Sequence, residues 1–263
     1  MTSRPRFHAP EIRAEGQRLA LKGEEFHHLR NVLRLKAGDR VSLFDGRGAG
    51  YSATLETVGR EEAVIRVERE EHPSSESNLR LHLAVGLAKG EKLDLVIQKV
   101  TELGVTAVHP LATRRADVKL KPGHGESRLQ RWRRVALEAC KQSGRTRLPE
   151  IHPPMDLDEF LALEMPAPRI VLDPGGGSLA DILPGEIPRP FTSLTVAVGP
   201  EGGWHSVELD KFLHGGYLTC RLGPRVLRAE TASILAAGLL QFLAGDLRPG
   251  GPPSHGPHFL TPT

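Results

Sequence analysis

The feature that most constrains this chain is a short apolar segment that runs directly into a glycine-rich turn. Residues 194–198 are apolar and rich in β-branched side chains, as expected of a buried strand, and GPEGG follows at 199–203. Glycines lack a Cβ, so this turn allows the backbone to approach a ligand closely. A second predicted strand, residues 218–222, precedes another turn at Gly223-Pro224. Open α/β sheets bind ligands outside the carboxyl ends of such strands.

Charged residues accompany both turns. Glu201 lies in the first, and Arg228 and Glu230 follow the second, just before an Ala/Leu-rich helix predicted over residues 232–243. The simplest alternative is that the glycines only form turns, but two such turns beside charged residues favour a ligand site. The glycine spacing is that of neither a dinucleotide fingerprint nor a Walker A loop. A nucleoside cofactor held by backbone groups fits this pattern better than a triphosphate does.

Longer motifs make the chain recognisable. The segments GPEGGW at 199–204, Glu208, and LGPRVLRAETA at 222–232 resemble the SPOUT class of RNA methyltransferases, and within it the RsmE family. That family uses S-adenosylmethionine to methylate N3 of a uridine in 16S ribosomal RNA. The resemblance, which spans about residues 5–244, implies an α/β fold with a SPOUT-type trefoil-knotted methyltransferase domain after a small PUA-like β-barrel domain. The chain departs from the family pattern at Trp204-His205, where Phe-Ser is usual, and over residues 114–118.

The resemblance also assigns a cofactor site to three strand-end loops, the third of which follows a strand predicted at 169–173. The implied S-adenosylmethionine-binding residues are Leu172, Asp173, Gly175, Val198, Gly199, Pro200, Glu201, Gly202, Gly203, Leu222, Gly223, Arg225, Val226, Leu227 and Thr231. Uridine N3 carries a hydrogen, so methylation needs a proton acceptor or an anion-stabilising group. The catalytic candidates are Arg228, Glu230 and Glu201. Which of them takes the proton stays open, and a water path is an alternative.

Basic residues cluster in the middle of the chain, although the net charge is only +3. Residues 113–147 contain eleven Lys or Arg and three Asp or Glu, an excess of +8, while the remainder sums to −5. This local excess of positive charge favours an anionic partner, here 16S ribosomal RNA or the small ribosomal subunit. The RNA contacts that the resemblance and this excess indicate are Arg30, Arg34, Arg115, Lys119, Arg145 and Arg147. For Arg30 and Arg34, ordinary surface charge explains the residue almost as well.

Residues 1–73 are predicted to form the β domain. Strands are indicated at 40–44, 51–55 and 63–67, with a turn at the sequence DGRG between the first two. One short helix between Glu24 and Leu33 is predicted, with an apolar side made of Phe26, Leu29, Val32 and Leu33. The segment HHLRNVLRLKAGD at 27–39 resembles the PUA-like RNA-binding domain of the family. A Ser-rich linker at 71–78 separates this domain from the next.

Residues 79–245 are predicted to form the α/β domain. A strand at 81–85, an amphipathic helix at 92–103 and a strand at 107–111 make a βαβ unit, which indicates a parallel sheet covered by helices. Most polar side chains of that helix, including Lys92, are explained by solvation alone.

Three further helices are predicted in this domain. The helix over 128–142 is expected to bury a stripe that comprises Leu129, Trp132, Ala136, Ala139 and Cys140. The helix over 206–213 lacks the usual N-cap hydroxyl, because His205 stands there, and Ser206 is the alternative cap. The helix over 232–243 is apolar almost all round and must be covered, either by a second subunit, as in SPOUT homodimers, or by the core of a monomer. Residues 246–263 have no periodicity and are predicted to be a disordered tail.

Composition argues against several other classes of protein. Cys140 and Cys220 form neither a disulfide framework nor a zinc-ligand pattern, so buried thiols and no metal are expected. The first sixteen residues lack the apolar segment of a signal peptide, and residues 232–244 are too few to span a bilayer. A cytoplasmic protein without a membrane partner is therefore expected. Two functional alternatives stay open: a ribosome-assembly factor that binds RNA without catalysis, and a SPOUT methyltransferase with a different RNA target.

Overall fold

The computed structural model describes residues 4–71, 75–116, 124–179 and 192–247. These residues form two compact units. The first comprises the chain up to Glu76 together with Cys140–Leu148, and the second comprises Ser77–Ala139 and the described residues from Pro149 onward. The return of Cys140–Leu148 to the first unit was not anticipated in the domain bounds 1–73 and 79–245.

The first unit is built on a mixed five-stranded sheet. Its strands are β1 Arg6–His8, β2 Arg18–Leu21, β3 Arg40–Phe44, β4 Gly50–Val58 and β5 Ala63–Glu71, paired in the order β1-β3-β4-β5-β2. The β1–β3 pair is parallel and the others are antiparallel. Val41 and Leu43 are buried together with Ile65 and Val67, because alternate side chains of a strand point to the same face. The three predicted strands are confirmed, and the pairing does not close, so the sheet is a half-barrel.

The predicted single helix between Glu24 and Leu33 is two different helices. An α-helix, Gly23–His27, passes into a π-helical segment, His28–Val32, in which the N–H of Leu33 bonds the carbonyl of His28 at 3.0 Å. A π turn is wider than an α turn, so the side chains after it leave the 3.6-residue phase. Phe26 and Leu29 are buried as predicted, but Val32 is 62% exposed and Leu33 38%, so their predicted apolar packing was wrong.

The second unit contains a parallel seven-stranded sheet. Its described strands are β6 Arg80–Gly86, β7 Ala107–Ala112, β8 Glu150–Ile151, β9 Met155–Asp156, β10 Arg169–Ser178, β11 Ser193–Val198 and β12 Leu218–Arg221. They pair in the order β12-β10-β11-β6-β7-β8, with β9 also on β7. Every pairing is parallel, which confirms the α/β class predicted from the βαβ pattern. The carboxyl ends of these strands therefore lie at one edge.

Helices cover both faces of this sheet. Those described are Lys92–Glu102, His124–Ser143, Leu157–Leu161, Ser206–His214 and Ala229–Ala244. Leu81 and Leu83 of β6 lie in a core with the first, second and last of these helices. Ala84 belongs to a second core with Phe160 and Phe212. Burial on both faces explains why the strands read as continuous apolar runs. The predicted stripe of Leu129, Trp132, Ala136, Ala139 and Cys140 is buried, as expected.

Two local predictions were wrong. Strand β10 does not stop at Asp173 but continues to Ser178, with a register shift against β12 between Leu172 and Gly177. A Cβ on Gly176 would lie 2.7 Å from the β12 backbone, so glycine lets the two strands pair this closely. His205 is itself the N-cap of the Ser206–His214 helix: its Nδ1 accepts from the N–H of Val207 at 3.3 Å. An imidazole nitrogen thus replaces the expected hydroxyl.

The remaining sequence predictions concern cysteines, metals, membranes and the tail. Cys140 and Cys220 are free and buried, and burial raises the pKa of Cys140 to about 11. Among the described residues there is no group of three or more His, Cys, Asp or Glu arranged to hold a metal ion. None of the described helices is long and apolar enough to cross a membrane. Residues 248–263, most of the predicted tail, lie outside the described residues.

Candidate active site

Three neighbouring strands of the second unit border one cleft. The order β12-β10-β11 places these strands side by side, and residues 172–174 of β10 line the cleft together with the ends of β11 and β12 and the segments that follow them. The lining comprises residues 172–174, 198–201, 203–204, 220–223 and 225–227, with Ala229 and Ala232. Three glycine-bearing segments that are far apart in sequence therefore share one concave surface.

Most of the predicted cofactor residues lie in this lining. They are Leu172, Asp173, Val198, Gly199, Pro200, Glu201, Gly203, Leu222, Gly223, Arg225, Val226 and Leu227. Gly175, Gly202 and Thr231 are outside it: the N–H of Gly175 bonds Asp173 at 2.8 Å, and Thr231 is exposed on the Ala229–Ala244 helix. The sequence motifs thus locate the cleft, and the binding role of each residue stays a prediction.

The GPEGG turn is tightly packed, and the closest of its contacts requires a glycine on the neighbouring strand. A Cβ on Gly86, at the end of β6, would lie 2.5 Å from the backbone nitrogen of Pro200. A Cβ on Gly199 would lie 3.3 Å from the indole ring of Trp204. Gly203 has a φ of +68°, a region that most other residues avoid. The position of this turn is therefore set by close backbone packing.

Trp204 is a cleft residue that the sequence analysis did not select. Its ring is 5% exposed and packs edge-on against Phe212, with the ring centres 4.8 Å apart. Its Nε1 donates to the carbonyl oxygen of Leu172 at 3.0 Å. This bond joins strand β10 to the turn after β11. The sequence does contain a signal for this bond. Tryptophan stands at position 204 where the family pattern has phenylalanine, and phenylalanine has no N–H group to donate.

The third wall of the cleft has main-chain groups without partners. Within the described structure, residues 223–227 make no hydrogen bond through their N–H or C=O groups. Gly223 has a φ of +140°, and Val226 is 82% exposed in the cleft wall. A ligand with polar edges and flat apolar faces can bind to such a wall, because the unpaired peptide groups can bond its edges and the apolar surface can contact its faces.

A group of four charged residues lies at the mouth of this cleft. Lys92 Nζ donates to Glu201 Oε1 at 2.7 Å. That bond is the main reason why the pKa of Lys92 is raised; Glu230 raises it further and Arg228 opposes the shift. Glu230 lies in the first turn of the Ala229–Ala244 helix, and its buried Oε2 has no hydrogen-bond partner in the part of the chain that the structure describes. The three catalytic candidates are therefore brought together, and Lys92, which had been ascribed to solvation, joins them.

Two of the predicted RNA contacts in the first unit, Arg30 and Arg34, are exposed. Arg30 donates to the carbonyls of Gly59 and Arg60 at 2.9 and 2.8 Å, and its guanidinium lies over the ring of Phe26. Arg34 follows the π-helical segment and has a φ of +54°. Both guanidinium groups remain reachable by a phosphate, although Arg30 also stabilises the turn between β4 and β5.

Arg145 is not a surface residue. It is 3% exposed, and its Nε and a terminal nitrogen bond Glu76 Oε2 at 3.2 and 3.0 Å. Glu76 Oε1 also accepts from the N–H groups of Thr146 and Arg147. The expected phosphate contact at Arg145 is therefore corrected to a structural ion pair, because the neighbouring packing excludes an outside anion. Arg147 itself is exposed.

The last two predicted RNA contacts belong to the second unit. Arg115 is exposed, and one terminal nitrogen donates to the carbonyl of Gly202 at 3.2 Å. It therefore packs on the GPEGG turn and leaves its other donors available. Lys119 lies outside the described residues.

Comparison with known proteins agrees with this arrangement. Residues 75–241, more than half of the chain, match the RNA methyltransferase domain family, and residues 21–68 match the RNA methyltransferase PUA domain family. Ribosomal RNA small subunit methyltransferase E of Bacillus subtilis is 30% identical over 240 residues, which are 89% of this chain and 93% of that relative. The chain belongs to the ribosomal RNA small subunit methyltransferase E family. The Synechocystis member is 32% identical over 89% of this chain and 76% of its own length.

Two solved methyltransferase structures share the fold of most of the chain. The Neisseria gonorrhoeae enzyme, solved with S-adenosyl methionine, superposes with a TM-score of 0.85 at 33% identity, over 92% of this chain and 99% of its own. A Legionella pneumophila methyltransferase, solved with bound SAM, superposes with a TM-score of 0.87 at 33% identity, over 93% and 100% of the two chains. The predicted α/β methyltransferase fold with an amino-terminal PUA domain is therefore confirmed.

Proposed function

We propose that this protein transfers a methyl group from S-adenosylmethionine to N3 of a uridine in 16S RNA of the small ribosomal subunit. The observation that carries the proposal is the convergence of three strand-end segments on one cleft that has carboxylates and cations at its mouth. Family membership supports the reaction class and the ribosomal substrate. The choice of N3 rests on the resemblance to the RsmE family.

The residues of the cleft fit the cofactor. Leu172, Val198 and Leu227 offer apolar surface to an adenine ring, and the unpaired main chain of residues 223–227 offers donors and acceptors to its polar edge. Glu201 supplies a negative charge that complements a sulfonium. When bound, the cofactor supplies an electrophilic methyl group.

The chemistry left to the protein is positioning and proton transfer. The acceptor nitrogen must lie in line with the methyl group at near-attack distance, which by itself supplies much of the acceleration. N3 must also lose its proton, and Glu201 and Glu230 are the carboxylates beside the cleft. Arg228 is suited to stabilise the uracil anion through its carbonyl oxygens. A base within folded RNA must leave its stack to reach this cleft.

Exposed basic residues within each unit are proposed as RNA contacts. Arg30, Arg34 and Arg147 in the first unit and Arg115 in the second have donors that a phosphate reaches. The substrate is either the RNA itself or the small subunit, in the cytoplasm where ribosomes assemble.

A homodimer and a knotted path for the catalytic domain are part of the proposal by family resemblance. Leu235 and Phe242 on the Ala229–Ala244 helix remain 38% and 49% exposed, which supports covering of this helix by a second copy. Light scattering of the Phe242→Glu variant tests this: we expect a smaller mass than for the wild type, whereas Leu163→Glu, at another exposed leucine, should leave the mass unchanged. A monomeric wild-type protein would contradict the dimer.

The function is tested with purified protein, labelled S-adenosylmethionine and small subunits from a strain that lacks its own enzyme of this family. Nucleoside mass spectrometry should detect 3-methyluridine. A methylated ribose would instead support the alternative RNA target. Failure to bind S-adenosylmethionine in calorimetry would support the non-catalytic assembly factor.

A further inference from the structure

Lys92 is the first residue of the Lys92–Glu102 helix, and its ammonium bonds a carboxylate 109 positions later in the chain. The side chains of Lys92 and Glu201 are 41% and 30% exposed. An ion pair this exposed adds little to folding stability. Its effect is local: it attaches the GPEGG turn, and the carboxylate that faces the cleft, to the end of a helix.

The two carboxylates near the cleft are therefore not equivalent. One oxygen of Glu201 already accepts a hydrogen bond from the ammonium of Lys92, so Glu201 could take up a proton only by losing this ion pair. Glu230 Oε2 is buried and has no hydrogen-bond partner among the described residues. An N3–H group in the cleft would supply the donor that this oxygen lacks. Ala229, the residue before it, lines the cleft, and the charge of Glu230 acts on Lys92, whose partner Glu201 also lines the cleft.

We propose that Lys92 is a positioning residue that holds Glu201 at the cleft mouth through their ion pair, and that Glu230 accepts the N3 proton. The proposal rests on the function proposed above and assigns separate tasks to two carboxylates that the sequence could not distinguish. In the reaction, the N3 proton passes to Glu230. The N3 lone pair forms the bond to the methyl carbon, and the electrons of the former carbon–sulfur bond leave with the thioether product. Glu230 then releases its proton to water.

The ion pair is tested by a double-mutant cycle on the full chain with Lys92→Met, Glu201→Gln and the double variant. We expect Lys92→Met to lower kcat/KM by roughly tenfold to a hundredfold, as small displacements of active-site groups do. Lys92→Arg should restore most of this loss, and the double variant should be no worse than Glu201→Gln. Lys99→Met, which removes a similarly exposed ion pair with Glu102 on the same helix, is the control and should match the wild type. Additive losses, or an unaffected Lys92→Met enzyme, would overturn the positioning role.

The proton acceptor is tested with Glu230→Gln. We expect kcat to fall roughly a hundredfold to ten-thousandfold and the acidic limb of its pH profile to flatten, while calorimetry gives an unchanged Kd for S-adenosylmethionine, which also reports folding. RNA with 5-fluorouridine at the target has a more acidic N3–H and should recover part of the lost rate in Glu230→Gln but not in Lys92→Met. If the Glu230→Gln enzyme kept the wild-type pH profile, Glu230 would not be the acceptor of the N3 proton.

Failure of the broader function gives a different result. If the wild-type protein made a methylated nucleoside other than 3-methyluridine, the N3 proposal would fail, and with it the proton path through Glu230. The double-mutant cycle described above would still measure the coupling between Lys92 and Glu201.

Discussion

The indole Nε1 of Trp204, which follows strand β11, donates a 3.0 Å hydrogen bond to the carbonyl oxygen of Leu172, which lies within strand β10. The bond fixes the distance between two walls of the cleft and occupies a carbonyl that would otherwise face a ligand. In this chain, therefore, part of the cleft's shape depends on a donor that the usual phenylalanine does not have.

Replacement of Trp204 with phenylalanine keeps an aromatic ring but removes this donor. We expect the affinity for S-adenosylmethionine to fall about two- to tenfold, the effect of one hydrogen bond. Isothermal titration calorimetry measures the change. Trp132→Phe, a buried tryptophan on the His124–Ser143 helix, is the control and should leave the affinity unchanged. Equal losses in both variants would mean that the effect is general destabilisation.

Gly86→Ala tests the tight packing beneath the GPEGG turn. The added Cβ would meet the backbone of Pro200 at 2.5 Å, so the turn must move and cofactor binding should weaken at least tenfold. Gly238→Ala is the matched control, because nothing lies within 4 Å of its new Cβ and alanine favours a helix by up to about 1 kcal/mol. Calorimetry with thermal unfolding should therefore separate the two. Normal binding by Gly86→Ala would argue that the turn adapts freely.

Arg228→Ala tests the anion-stabilising role. Arg228 is the N-cap of the Ala229–Ala244 helix, but its side chain makes no capping bond, so its removal should leave the helix intact. We expect kcat to fall about a hundredfold to a thousandfold with little change in unfolding midpoint, as for the loss of an oxyanion donor. Arg133→Ala, an exposed arginine of another helix, should be fully active. Wild-type turnover in Arg228→Ala would remove this residue from the mechanism.

The buried ion pair of the first unit predicts a stability effect. Glu76→Ala removes the carboxylate that the buried guanidinium of Arg145 binds, and the free energy of unfolding should fall by about 3–5 kcal/mol. Glu56→Ala, which removes an exposed pair with Arg18, should cost less than about 1 kcal/mol. Urea unfolding compares them. Similar midpoints for the two variants would refute the structural role assigned to Arg145.

The stability of the second unit should depend on pH through His109. This imidazole is 3% exposed, stacked between His82 and His152, and burial lowers its pKa to about 3. In the unfolded chain this imidazole takes up a proton near pH 6.5, whereas in the folded chain it does so only near pH 3. The free energy of unfolding is therefore highest above pH 6.5 and falls as the pH drops towards 3, by at most about 1.4 kcal/mol per pH unit. His109→Phe should show a shallower acid loss in urea unfolding from pH 7 to pH 4. Parallel curves would exclude His109 as the cause.

Features that depend on local pattern were predictable. The apolar run at 194–198 and the glycines after it indicate a buried strand and a turn from their own chemistry, and parallel strands bring such ends together. The βαβ pattern around the Lys92–Glu102 helix predicts the parallel sheet in the same way. The cleft could therefore be located from sequence.

Features that depend on distant partners were not predictable. Arg145 looks like a surface cation in a basic segment, and only its ion pair with Glu76, 69 positions earlier, makes it structural. Lys92 looks like a solvated helix residue until Glu201 is placed beside it. The π-helical segment at His28–Val32 has no distinctive composition that would separate it from the α-helix before it.

The contribution of Cys140–Leu148 to the first unit has a consequence for biosynthesis. Glu76 leaves the ribosome long before Thr146 and Arg147, whose N–H groups it binds. The first unit is therefore not complete when its amino-terminal segment has been made: a nascent chain must reach about position 148 before this segment acquires these bonds. A polypeptide that ended after Glu76 would lack Arg145, Thr146 and Arg147, so the Glu76 side chain would have none of these hydrogen-bond donors.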